Sequence, residues 1–327
     1  MKHKIAIIGA GLSGLIAAHE LKNVSDVKLF DKSRGVGGRM STRYAGNYEF
    51  DHGAQYFTAR DPRFQSAVEK AVEQGVVAPW LGKALYKKES GLVADTGSDR
   101  FVGAPRMNSW AKSLAEGLDI DLGRRVSKLS RQDSQWILNF ENGEPQRGFD
   151  AIICAVPSVQ AIDLLPEGFS GMASLKRTQM EACFALMIGF DAVHDFGWSS
   201  LRVRNDVNAW LAVNSDKPSR DKTLTTLMVH AAPEWSSEHA NADRDWVQAQ
   251  METSASRLCG VDVSKAPHLT LHRWLYASVS ASPNQGVLYD ADLSVAACGD
   301  WCNGGRVEGA FLSGLAAAEA LSKSLRL

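Results

Sequence analysis

The chain has 327 residues, enough for two ordinary domains or one large one and for a sizeable buried core. Its 36 basic and 37 acidic residues leave a formal charge of −1, which excludes a general attraction to nucleic acid or to acidic membranes. At 45% hydrophobic and 22% charged residues, the composition also excludes a disordered chain. The cysteines, Cys154, Cys183, Cys259, Cys298 and Cys302, are odd in number, which favours free thiols in a reducing compartment. Cys298 and Cys302 lack the second Cys/His pair that a zinc site needs, so no metal is expected.

No uncharged stretch reaches the ~20 apolar residues required to cross a bilayer. Residues 5–18 follow Lys2 and Lys4 and mimic a secretory signal, but such a segment has no need of Gly9, Gly11 and Gly14. Cytoplasmic residence is the expectation. Residues 5–8 are an unbroken apolar run suited to a parallel strand covered on both faces. Residues 15–21, rich in Ala and Leu, predict a helix, and residues 27–30 a second strand ending at Asp31. Together they make a βαβ unit.

Further along, residues 136–140 alternate apolar and polar side chains and run into Asn142-Gly143, a strong hairpin signal. With residues 126–129 they predict a small antiparallel meander. Residues 149–156 are apolar again and stop at Pro157. Between about 158 and 286, strands at 182–190, 223–230 and 269–276 mix with a helix at 245–258. A strand at 293–298 and a helix at 309–325 then rejoin the first domain. The expected fold is α/β, with a Rossmann-like domain of parallel sheet plus antiparallel meander from residues 1–60, 100–157 and 287–327. A second, mixed α+β substrate domain takes residues 61–99 and 158–286.

The motif Gly9-x-Gly11-x-x-Gly14 lies between strand and helix, with Asp31 at the end of the next strand. Gly9 permits the tight turn, Gly11 the approach of a diphosphate, and Gly14 close packing of helix on sheet. Asp31 can accept hydrogen bonds from both ribose hydroxyls. These features predict a bound dinucleotide. The stretch from Lys32 through Gly38 and Arg39 follows directly; the glycines allow close approach and Arg39 offers a fork of donors to phosphates. Near the other end, Asp300 follows a strand and can accept from a polyol, which the ribityl chain of a flavin has and NAD lacks. The helix beginning near Val307 would aim its N-terminus at the flavin pyrimidine ring, where charge collects on reduction. FAD is therefore the expected cofactor.

These motifs resemble the flavin-binding frame of the monoamine oxidase superfamily. More closely, residues 31–40, Asp51-His52-Gly53-Ala54-Gln55-Tyr56-Phe57, residues 272–277 and residues 298–314 resemble the bacterial renalases. The resemblance implies an amine oxidase-like fold, with FAD held at Ser13, Arg39, Gln55 and Tyr56 besides the glycines and Asp31, and with the backbone of Val126 at the adenine. It implies an oxidase that takes hydride from 2- or 6-dihydro isomers of NAD(P)H and passes electrons to molecular oxygen. The positions matching the substrate pocket are Asn214, His230 and Trp274.

A dihydropyridine becomes aromatic on losing hydride, so its oxidation needs positioning rather than a general base. Trp274 can pack on the ring, and Asn214 or His230 can bond the carboxamide. Each is equally a core residue type, since the chain has nine tryptophans and His230 ends an apolar run. Arg220 reads either as a solvated loop charge or as a contact for substrate phosphates. No cysteine stands in the context that links flavin covalently in monoamine oxidases, so a non-covalent cofactor is expected. No tyrosine pair that would cage an amine is recognisable. An amine oxidase or desaturase-like flavoenzyme, and a flavoprotein without catalysis, remain the competing readings.

Overall fold

The apolar run near the N-terminus becomes the strand Lys4–Ile8, an inner strand of a six-stranded sheet, in a computed structural model that describes residues 2–327. Strand order is Leu288–Asp290, Val295–Ala297, Ala151–Cys154, Lys4–Ile8, Asp26–Asp31, Asp119–Leu122. All neighbours are parallel except the edge pair Leu288–Asp290 and Val295–Ala297. Alternate side chains go to opposite faces, and both faces are apolar. Ala6, Ile8, Phe30 and Ile152 pack against Val126, Trp136, Leu138 and Phe149 of an antiparallel meander. Ile5, Ile7, Leu29 and Ile153 pack against Leu15 and Leu21 of the helix Leu12–Leu21 and Ala317 and Leu321 of the helix Val307–Leu325.

The meander consists of Val126–Gln132, Gln135–Phe140 and Gln146–Phe149, with Asn142-Gly143 at the turn between the last two, as the residue pattern predicts. The strand Asp119–Leu122 was not expected; its four residues are too few for alternation to stand out.

A second sheet has seven strands in the order His268–Ala281, Gln179–Gly189, Thr226–Ala231, Asn208–Val213, Ser200–Arg202, Ala84–Lys88, Gly91–Ala94. One face packs Phe184, Leu186, Leu211, Val229 and Leu271 against Val247, Met251 and Ala255 of the helix Arg244–Cys259. That helix starts at Asp243, whose side chain accepts from the amides of Asp245 and Trp246, and stops at left-handed Gly260. On the opposite face one transverse row runs Arg202, Trp210, His230, Ala185, His272, each directly opposite the next on the neighbouring strand. All five cysteines are free. Among the described residues, no helix is long and apolar enough to cross a membrane.

Candidate functional site

Three distant stretches meet beyond the carboxyl ends of the parallel strands, where α/β sheets bind ligands. Gly9 has a φ of +106°, and a Cβ there would lie 2.6 Å from the carbonyl oxygen of Ala155. A Cβ on Gly14 would overlap the carbonyl oxygen of Gly9, so helix and turn touch. Gly11 is different: a Cβ there would meet no protein atom within 4 Å, and the helix it begins has no side-chain cap. The first-turn amides of that helix, including those of Ser13 and Gly14, thus face open space at its positive end, a cradle suited to a diphosphate.

The second stretch lies alongside. The amide of Gly37 donates to the carbonyl of Ala10 at 2.8 Å, and Gly11 and Gly37 form a parallel bridge next to Gly38. Asp31 joins the two turns by accepting from the amides of Ala10 at 2.6 Å and Ser33 at 2.7 Å. Each of its oxygens keeps a lone pair for a ribose hydroxyl. Lys32 is half-buried here; burial and then Arg125 push its ammonium down, against the opposing pull of Asp31 and Glu141.

The third stretch closes the site. Ser13 Oγ donates to the carbonyl of Ala310 at 2.8 Å, tying the first helix to the one that Val307 begins. The N-cap of that second helix, Arg306, also makes no side-chain capping bond. Asp300 and Arg39, expected to act separately on the ribityl chain and the phosphates, are paired as a two-pronged ion pair; Arg39 Nη1 reaches Asp300 Oδ2 at 2.9 Å and the carbonyl of Ala277 at 3.0 Å. Val126 is buried at the start of the meander. Open helix N-termini, a glycine cradle and paired polar groups at the convergence fit a dinucleotide cofactor such as FAD.

Next to this crevice is a buried charge cluster. Asp51 accepts from Thr42 Oγ1 at 2.7 Å, the amide of Met107 at 3.0 Å, Lys217 Nζ at 3.3 Å and Arg220 Nη2 at 2.7 Å. Burial pushes the Asp51 carboxyl up, but Lys217 and Arg220 outweigh it and hold the group well below the usual carboxylate range. Burial pushes the Lys217 ammonium down to about 8, with Asp51 opposing and Arg220 adding. Arg220 also donates to the carbonyls of Gly103 and Pro218, both at 2.8 Å. It is therefore neither a solvated loop charge nor free for a substrate phosphate. Gln55 is buried with its amide turned into this cluster, donating to the carbonyls of Asp51 and Gly53 and accepting from Lys217 at 3.2 Å.

Two of the three residues expected at a substrate pocket converge one position further along, on His52. Trp274 Nε1 and His230 Nε2 both meet the carbonyl oxygen of His52, at 2.9 and 3.3 Å. A carbonyl only accepts, so His230 carries its proton on Nε2 and its Nδ1 is an acceptor. The Trp274 ring lies 5.0 Å from that of His52 and 4.5 Å from that of His272. Burial pushes His52 down to about 4, helped by His272 and Arg43. His230 also falls to about 4 through burial, the bond to His52 opposing and Lys217 adding. Both rings are neutral at neutral pH. Asn214 is buried and spends its amide on the backbone, accepting from the amide of Asp51 at 3.3 Å and donating to the carbonyl of Glu49 at 3.0 Å. It braces the segment before His52.

Tyr56 accepts from Arg202 Nη2 at 3.1 Å, while its ring lies 5.3 Å from Trp210 and 4.6 Å from the Arg100 guanidinium. Sequence reasoning missed His52, His272, Asp51, Lys217, Arg100 and Arg202 as parts of the site. His272 and Trp274, two apart on one strand and so on one face, were the available signal.

The description "NAD(P)-binding Rossmann-like domain" matches residues 7–71, and "Flavin containing amine oxidoreductase" matches residues 80–322. Among solved structures, a protein from Exiguobacterium sp. 255-15 described as a protoporphyrinogen oxidase superposes with a TM-score of 0.80 at 12% identity, covering 100% of both chains. Cyclohexylamine oxidase from Brevibacterium oxydans IH-35A gives 0.77 at 14% identity, again over 100% of both. Reduced UDP-galactopyranose mutase gives 0.79 at 13% identity over 100% of this chain and 94% of that one. At these identities the likenesses establish a shared fold.

Proposed function

Because the chain belongs to the family of flavin-containing amine oxidoreductases, and so is an FAD-dependent oxidoreductase, we propose that its substrates are dihydronicotinamide nucleotides of the 2- and 6-dihydro type. FAD held in the glycine cradle would supply the two-electron acceptor for an overall reaction in which dihydro-NAD(P), O2 and a proton give NAD(P)+ and hydrogen peroxide. Gly9, Gly11, Gly14 and the first-turn amides would hold the diphosphate, Asp31 the ribose, and Arg39 with Asp300 the stretch between phosphate and polyol.

The observation that carries this reading is the convergence of His230 and Trp274 on the carbonyl of His52. It fixes an indole face and a neutral imidazole with a free Nδ1 acceptor on one wall, the groups that would pack a nicotinamide ring and receive its carboxamide N–H. His52 and His230 are weak bases, since both are pushed down to about 4. Weak bases suit a donor that gives up hydride and no proton. The domain division at 1–60, 100–157 and 287–327 against 61–99 and 158–286 belongs to the same reading, with the pocket where the two parts face each other.

The family match also favours a second reading, oxidation of an amine, the substrate class named for the cyclohexylamine oxidase. Anaerobic mixing of the holoenzyme with 2- or 6-dihydro-NAD, with ordinary NADH, and with primary and secondary amines separates the two. Rapid bleaching by the dihydro isomers and slow bleaching by NADH is the expected result. Bleaching by amines alone would replace the first reading with the second.

A further inference from the structure

The transverse row on the second sheet continues past the ring-binding wall to a pair of arginines. Arg202 is directly opposite Trp210, and Trp210 directly opposite His230. Two strand spacings, about 10 Å, therefore separate the backbone of Arg202 from that of His230 on one face. One ribose together with the reach of an arginine side chain bridges such a span. Arg202 and Arg100 meet there: Arg100 Nη2 bonds Asp95 Oδ2 at 2.7 Å and Arg202 Nε bonds the same oxygen at 3.3 Å. One carboxylate facing two guanidinium groups leaves a surplus positive charge. Arg100 also bonds Ser200 Oγ at 2.9 Å and lies 4.6 Å from the Tyr56 ring, with its side chain 9% exposed. Arg202 lies 5.5 Å from the Trp210 ring with its side chain 44% exposed, and among the described residues no group bonds its Nη1. Guanidinium groups packed beside aromatic rings are suited to receive phosphate oxygens on the N–H groups that remain open, here chiefly those of Arg202, while Arg100 adds its charge.

We propose that Arg100 and Arg202 form an anion subsite for the diphosphate of the substrate dinucleotide, an inference that rests on the nucleotide reading above. It assigns to this pair the phosphate contact that Arg220, locked onto Asp51, does not make. The diphosphate of the cofactor is a separate group with its own cradle at Gly11.

The test is a titration of the oxidised holoenzyme with ADP-ribose, which carries the diphosphate without the nicotinamide, followed by flavin absorbance. Inorganic pyrophosphate is the competitor. Arg202→Gln should weaken ADP-ribose about tenfold, the usual size of one lost charge-assisted contact. Asp95→Asn removes the neutralising carboxylate and should tighten binding severalfold, a gain that misfolding does not produce. Pyrophosphate should displace ADP-ribose, and added salt should weaken both. Absence of ADP-ribose binding, an unchanged affinity in Arg202→Gln, or no tightening in Asp95→Asn would overturn the subsite. Failure of dihydro-NAD to reduce the flavin would instead overturn the substrate assignment, which this titration does not read.

Discussion

Trp274 donates its indole N–H to the carbonyl of His52 at 2.9 Å, across 222 positions of sequence. The bond fixes the ring on the long strand His268–Ala281 against the segment that runs beside the cofactor crevice. Trp274→Ala removes both the ring and the anchor, so a dihydronicotinamide bound as proposed would lose its wall. Reduction of the flavin by substrate should slow by about tenfold to a hundredfold, the cost of a loosened reactant, while reoxidation by oxygen changes little. Trp274→Phe keeps a ring without the donor and should fall between. Stopped-flow measurement of the two half-reactions checks this; equal losses in both would make Trp274 a packing residue only.

Arg39 and Asp300 come from opposite ends of the chain and hold each other by a double hydrogen bond, Asp300 buried and Arg39 partly open. Asp300→Ala takes a carboxylate from the cofactor crevice and leaves a guanidinium without its partner. Charge-assisted bonds of this kind contribute about 1.5–3 kcal/mol, so FAD affinity should drop roughly tenfold to a hundredfold. Dialysis followed by the flavin absorbance per protein reads the result, and full occupancy after dialysis would contradict it.

The parallel sheet and meander were legible because both carry local signatures. The unbroken apolar run at residues 5–8, the glycine spacing and Asn142-Gly143 each act within a few residues. The site beside them was legible only by halves. His230 and Trp274 were found by resemblance, yet nothing local indicates that both bond the same carbonyl, that of His52. Lys217 and Arg220 bracket Pro218 and Ser219 in a polar stretch where Arg220 reads equally as a solvated charge or a phosphate contact, and only the tertiary fold reveals that Asp51 waits behind them with no exposed side-chain surface. Arg100 and Arg202 meet through strand register, which a single sequence does not encode in any one segment.

The Asp51 cluster has an unequal pair of cations, and the inequality is testable by pH. Arg220 bonds Asp51 and two carbonyls, so Arg220→Met should destabilise the fold by about 3–5 kcal/mol. Lys217→Met removes an ammonium whose burial is itself unfavourable and should lie within about 1 kcal/mol of the parent at pH 7. Burial pushes the folded Lys217 ammonium down to about 8, from the 10.5 of an ordinary lysine. Between these pH values the unfolded chain binds a proton that the folded chain does not, so this group makes stability rise with pH, by up to about 3 kcal/mol. Asp51 acts in the same direction at the acid end: its depressed carboxyl contributes stability that is fully present above about pH 4 and lost as pH falls through and below that range. Urea unfolding at pH 7 to 10.5 should show the parent gaining on Lys217→Met as pH rises. A constant difference, or Lys217→Met costing more than Arg220→Met, would show the cluster to be misread.

Gly11 and Gly14 stand three residues apart in the same turn and should respond to alanine in opposite ways. At Gly14 a Cβ would overlap the carbonyl oxygen of Gly9, so the helix must move off the turn. Gly14→Ala should therefore cost stability in the apoprotein as well as in the holoenzyme, at the 1–3 kcal/mol typical of overpacking, about 4 kcal/mol at most. At Gly11 the backbone has φ −74° and ψ 178°, extended values open to any residue, and a Cβ would meet no protein atom within 4 Å. Gly11→Ala should leave apoprotein stability within about 0.5 kcal/mol of the parent, yet its methyl group enters the space that faces the first-turn amides. FAD binding should then weaken by tenfold or more, about 1.4 kcal/mol. Thermal unfolding of the apoproteins and FAD titration by flavin fluorescence together read the contrast. Equal behaviour of the two variants in both assays would mean that the open space at Gly11 is not the diphosphate cradle.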